Sequence, residues 1–147
     1  MRKMKILVAH ADAYERQRLV TLLATPLDGL LNPIRYEIFE SNDLESGLNL
    51  VSTVFPDLVL IATQAGDNDG KTLCRGIRAR ENERHTGIIF VAQGEGYAEM
   101  LPVECLELGA DDFFAASTTP REVIARINAV LRLKDMTDEL RSANHRL

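Results

Sequence analysis

The sequence has no tryptophan and only two cysteines in 147 residues. Cys74 and Cys105 have no CxxC partner, which excludes the usual thiol spacing of zinc sites and dithiol redox motifs. Both fall among apolar residues at helical spacing, and this predicts buried, reduced thiols. An excess of positive charge is also missing: 17 Lys and Arg face 22 Asp and Glu, a net charge of -5. That balance excludes the basic footprint of a nucleic-acid or anionic-membrane binder. No apolar run approaches the ~18 residues of a membrane span. The opening MRKMKILVAH leads into a strand-like run rather than a signal peptide's apolar region, so a cytoplasmic protein is expected. Gly66, Gly70, Gly94 and Gly96 belong to no GxxxxGKS or GxxxxGKT loop, and nucleotide hydrolysis has no support.

What is present is enough to build a core. Hydrophobic residues make up 46% of the chain, sufficient for one globular domain without disulfides or metals. Five short apolar or β-branched runs read as strands: KILVA (5–9), IRYEIFE (34–40), DLVLIA (57–62), GIIFVAQ (87–93) and DDFFAA (111–116). Between them, four sets of residues each share a helical face: Leu19, Leu22 and Leu23; Leu44, Leu48 and Val51; Leu73, Cys74 and Ile77; Leu101, Cys105 and Leu108. A fifth helix is announced by Thr119-Pro120-Arg121-Glu122, which combines an N-cap hydroxyl, a first-turn proline and a capping-box glutamate. Five βα units with almost wholly apolar inner strands imply a parallel sheet covered on both faces. Only TPLDGLLNP (25–33) carries no recognisable motif. In such sheets, chemistry gathers at the carboxyl ends of the strands, yet the third strand ends on the methyl group of Ala62.

The segments KILVAHAD, PDLVLI with DG following it, IIFVAQ, LELGADDFF and the Thr-Pro-capped helix occur in that order between residues 4 and 133. Together they resemble the receiver domain of bacterial response regulators. The resemblance implies a flavodoxin-like (CheY-like) doubly wound five-stranded parallel sheet of order 2-1-3-4-5. It also implies phosphoryl transfer from a histidine kinase to an aspartate. Such a site uses two magnesium-binding acids, an acceptor aspartate, a hydroxyl residue and a lysine, which neutralise the charge developing between two anions. Carried over residue by residue, the acidic pair falls on His10 and Ala11, next to Asp12. The acceptor falls on Ala62, eight residues before Gly70; the hydroxyl falls on Ala92, and the lysine and its proline fall on Ala116 and Ser117. The aromatic switch position is Phe113, and Asp57 belongs to the approach to the third strand. The expectation is therefore a degenerate pseudo-receiver without phosphoacceptor, catalytic residue, metal or cofactor, acting through protein contacts. One alternative is a small-ligand or metal sensor in the vacated pocket around His10, Ala62 and Ala92, with Asp12 and Asp67 or Asp69 as further metal ligands. The plainer reading makes Asp12 a helix N-cap and DNDG (67–70) a turn.

The tail, RLKDMTDELRSANHRL (132–147), places Leu133, Met136, Leu140, Ala143 and Leu147 at spacings of three and four. That is the rhythm of a coiled-coil seam, and equally of an amphipathic end that packs on the domain. We expect a receiver-like domain over 1–133 and a helical linker over 134–147. The expected interaction surface comprises Leu101, Phe113, Leu133, Met136, Leu140 and Leu147. Its partner is another protein or a second copy of the chain, and the resemblance adds a C-terminal output domain in a longer protein.

Overall fold

The computed structural model describes residues 3–24, 34–63, 68–93 and 101–146. In chain order the elements are β1 (Met4–Ala9), α1 (Ala13–Ala24), β2 (Tyr36–Ser41), α2 (Leu44–Val54) and β3 (Leu58–Thr63), followed by α3 (Asp69–Arg80), β4 (Gly87–Ala92), α4 (Leu101–Glu107), β5 (Asp112–Ala115) and α5 (Pro120–Arg146). The strands form one parallel sheet in the order β2-β1-β3-β4-β5. This is the expected flavodoxin-like, doubly wound topology with a long C-terminal helix. The strand boundaries differ from the sequence expectation by one or two residues, because apolar content marks burial and the hydrogen-bonded ladder marks the strand.

The inner strands are apolar on both faces because helices cover both. One face of β1, β3 and β4 presents Ile6, Val8, Leu58, Leu60, Ile89 and Val91 to Leu19 of α1 and Ile124, Ile127 and Leu131 of α5. The other presents Leu7, Val59, Ile61, Ile88 and Phe90 to Val51, Leu73, Cys74, Ile77 and Cys105. Edge strand β2 instead exposes Glu37 and Glu40, charges that discourage pairing with another sheet.

Local chemistry sets the helix ends. Asp43 Oδ1 accepts the Ser46 N–H at 2.7 Å and caps α2, while Thr119 Oγ1 accepts the Glu122 N–H at 3.4 Å and caps α5. The Glu122 carboxylate is engaged by Arg126 Nε at 3.1 Å, one turn further along the helix. Helix α4 stops at Glu107, so Leu108 lies in the following turn, although its side chain still packs against the second core cluster. That turn closes on Gly109, whose φ of 100° suits a residue without Cβ. The segment 25–33, Gly66, Asp67, Gly94 and Gly96 lie outside the described residues.

Candidate functional site

In this strand order the chain leaves β1 for β2 on one side, then crosses to β3 on the other. The loops after β1 and β3 therefore diverge, and a crevice forms at their carboxyl ends. It encloses about 340 Å³, with Ala9, His10, Ser41, Ile61, Ala62 and Leu73 among its walls. Asp43 and Asp69 border it from the starts of α2 and α3.

The reactive geometry at this edge rests on one imidazole and one hydroxyl. His10 is 8% exposed, and its Nδ1 accepts the Asp12 N–H at 3.0 Å. Burial lowers its pKa below the ordinary 6.5, against the opposing pull of Asp12 and Glu15, so the ring is neutral near pH 7. Among the described residues its Nε2 is buried without a hydrogen-bond partner, as is Oγ of Ser41, which is 3% exposed. Asp12 caps α1, with Oδ1 accepting the Glu15 N–H at 3.0 Å, and that bond holds its carboxyl below the usual range. The Ser46 N–H does the same to Asp43.

Ala62 lies on this edge, and the register continues it across the sheet, pairing Thr63 with Ala92 and Ala92 with Ala115. Ala116 follows, its N–H donating to Ala92 O at 2.8 Å. The structure thus aligns Ala62, Ala92 and Ala116 along one edge, with His10 and Ala11 bordering the crevice. Two arginines of α1, which sequence reasoning missed, bind carbonyls here: Arg16 Nη1 donates to His10 O at 2.8 Å, and Arg18 Nη2 donates to Ala116 O at 3.1 Å. Both also pair with carboxylates, Arg16 with Glu40 and Arg18 with Glu15. Among the described residues, no three His, Cys, Asp or Glu side chains group as metal ligands. Cys74 and Cys105 are buried and unpaired by disulfide, and burial raises both thiols, Cys105 to about 12. At that value the thiolate is absent at neutral pH.

A larger cleft, about 630 Å³, lies at the opposite, amino edge of the sheet. Its walls include Asp57, Glu81, His85 and Lys134, and these groups bond to one another and to their neighbours. His85 Nε2 lies 3.0 Å from both oxygens of Asp111, and its Nδ1 lies 3.5 Å from Glu81. Hydrogen bonds to Asp111 and Glu81 raise the imidazole pKa to about 9 despite burial. Burial opposes ionisation of Glu81, but His85, the Thr86 N–H and Arg78 together bring its pKa down to about 2. Arg78 also donates to Gly109 O from Nε and Nη2, and to Asp111 at 3.1 Å. Asp57 Oδ2 accepts the Lys5 N–H at 2.8 Å, and Lys134 Nζ stands 3.7 Å from Oδ1.

Helix α5 runs through residue 133 without interruption, and Lys134, just beyond the expected linker boundary, is 4% exposed. Lys134 pairs with Asp138; the Asp138 carboxylate accepts the His85 N–H at 2.5 Å; Arg141 lies 3.4 Å from Glu81. The opposite side of the helix exposes Leu133, Met136 (67%) and Leu140 (63%). Phe113 is half-buried against the second core cluster. Leu101 belongs to α4, but its side chain and Leu147 lie outside the described residues. Val103 and Leu106, exposed on α4, were not expected from the sequence.

No protein-family model matches the chain. Curated relatives do. It is 30% identical over 122 residues to the alkaline phosphatase synthesis transcriptional regulatory protein PhoP of Bacillus subtilis, covering 83% of this chain and 48% of that one. It is 27% identical over 115 residues to the response regulator PleD of Caulobacter vibrioides, covering 78% and 25%. The structure of the BeF3-activated N-terminal receiver domain of Klebsiella pneumoniae RstA superposes with a TM-score of 0.68 at 24% identity, covering 87% of this chain and 98% of that one. The chain is a receiver-type domain, CheY-like in fold. It spans about half of PhoP and a quarter of PleD. The receiver fold puts the crevice with His10 and Ala62 at the switch point of the sheet, where ligands bind in this architecture. No helix among the described residues is long and apolar enough to cross a membrane.

Proposed function

We propose that this receiver-type domain signals without aspartyl phosphorylation, as a pseudo-receiver that works through contacts with a protein partner or a second copy of itself. The observation that carries this reading is the crevice edge. A methyl group stands at Ala62, Ala92 and Ala116, and neutral His10 and Ala11 stand where a receiver site would hold its magnesium. A methyl cannot attack phosphorus, and a neutral imidazole next to an alanine is a poor substitute for two carboxylates on Mg²⁺. Both signs of charge are missing together, which keeps the vacated site free of unpaired buried charge. The domain is read as non-enzymatic. Response-regulator relatives support a place in two-component signalling, and the output such proteins carry is the natural partner. Incubation with acetyl phosphate and Mg²⁺, followed by intact mass measurement, is expected to show no phosphoryl adduct. Stoichiometric incorporation on an aspartate would refute the reading.

The contact surface proposed is the α4-β5-α5 side and the outward stripe Leu133, Met136 and Leu140. Lys134 is bonded into the domain, so removing the tail would disturb the body as well as the stripe. Glutamate at Met136 and Leu140 is the cleaner test. If the chain self-associates through the stripe, sedimentation will show a dimer that M136E/L140E converts to monomer; an unchanged dimer would remove the stripe from the interface. A second reading, ligand sensing in the vacated crevice, is favoured by the apolar walls that Leu44, Ile61, Ala62 and Leu73 set around about 340 Å³.

A further inference from the structure

We infer that the cleft at the amino edge of the sheet binds a small organic anion, a carboxylate on a flat apolar body, held by the ring of Phe55 and the guanidinium groups of Arg80 and Arg84. The site is separate from the vacated crevice and from any phosphoryl chemistry. The first indication is the backbone of Phe55. This residue ends α2 at φ 56° and ψ 64°, and among the described residues it is the one non-glycine with a positive φ. A side chain is strained in that region, where glycine or asparagine is the ordinary helix terminator. The ring gains little from the fold in return, since Phe55 is 65% exposed. Strain of this kind gathers at ligand clamps, and the residue that bears it here lines a cleft of about 630 Å³, well inside the ~300–1,000 Å³ of small-molecule sites.

The charges around the cleft set the sign of the ligand. Asp57 is engaged by the Lys5 N–H and Lys134, and Glu81 by Arg78, the Thr86 N–H and Arg141. His85 faces Asp111 and Glu81 in turn. Arg80 and Arg84 are exposed on the same lining, and among the described residues neither pairs with a carboxylate. Arg80 Nη1 donates to Gly76 O at 3.0 Å, which serves the last turn of α3 and leaves the positive charge uncompensated. Glu83 is the remaining acid on the lining, one against two. An anion with a flat apolar body therefore finds both a counter-charge and a ring to stack on. A cation would meet two unshared guanidiniums.

The test is a titration of the ¹⁵N-labelled chain with three probes of one shape: cinnamate, cinnamamide and cinnamylamine. Cinnamate is expected to shift the backbone signals of Ser52, Phe55, Arg84 and Thr86 saturably, and to bind at least about threefold more tightly than the neutral or the cationic probe. Arg84→Gln, at an exposed and unpaired position, should weaken cinnamate by at least about threefold and leave cinnamamide unchanged. Phe55→Gly separates a binding ring from a structural one. Glycine suits the left-handed turn, so this variant should melt within about 3 °C of wild type or higher, while cinnamate binding falls by at least about threefold. No saturable shift with cinnamate, a smaller preference over cinnamamide, or full cinnamate affinity in the Arg84→Gln chain would each overturn the inference. So would a Phe55→Gly chain that melts lower than that margin, or one that binds as wild type does.

Discussion

Replacing Asp111 by alanine is expected to cost about 3–5 kcal/mol of folding free energy, the range for removing one partner from a buried ionic cluster. This carboxylate accepts the Ile88 N–H at 2.9 Å, contacts Arg78 and receives His85 on both oxygens. Without it, one backbone donor at the start of β4 loses its acceptor, and two cations lose a shared counter-charge. Urea denaturation would show a lower midpoint at unchanged slope. Asp111→Asn keeps an acceptor for Ile88 but not the charge, so it should fall between wild type and alanine. A loss under about 1 kcal/mol for the alanine variant would mean that the cluster is ornamental.

The same cluster gives stability a pH window. The pKa of His85 is raised from 6.5 to about 9 in the folded chain, so the fold binds this proton more tightly than the unfolded chain does. Below pH 6.5 both forms are protonated and the full stabilisation is present. It declines as pH rises and is gone above about 9, an upper-bound loss of about 3 kcal/mol. Glu81 acts with the opposite sign: its pKa is depressed from 4.5 to about 2, and its contribution fades as pH falls through that interval. The two groups share one contact, so their contributions are not additive. Thermal melts should therefore give a plateau near pH 5–6 with falls on either side, and His85→Gln should flatten the alkaline limb. An alkaline limb identical in wild type and variant would assign the loss to other groups.

The two edges of the sheet were not equally readable in the sequence. The inner strands announced themselves as continuous apolar runs, and Asp12 and Thr119 were recognisable caps because their partners lie three residues away. Ala62 could be placed by spacing alone. Ser41 could not: it comes to the crevice wall only through the β1–β2 register, a non-local fact. The amino-edge cluster was illegible for the same reason. Lys5 and Asp57 are 52 residues apart and His85 and Asp138 are 53 apart, and each reads locally as an ordinary charged residue. In the tail, the apolar rhythm was visible, but periodicity does not say which face of a helix docks. Here the charged face does, at least as far as Arg141.

Anchorage of that kind limits rotation. Close packing of Ile124, Ile127 and Leu131 already resists rolling of α5 where it lies on the sheet. Beyond them, turning the helix would pull Lys134, Asp138 and Arg141 away from Asp57, the His85 amide and Glu81 at once. The azimuth of Leu133, Met136 and Leu140 is thereby locked, and whatever meets that ridge finds it already oriented.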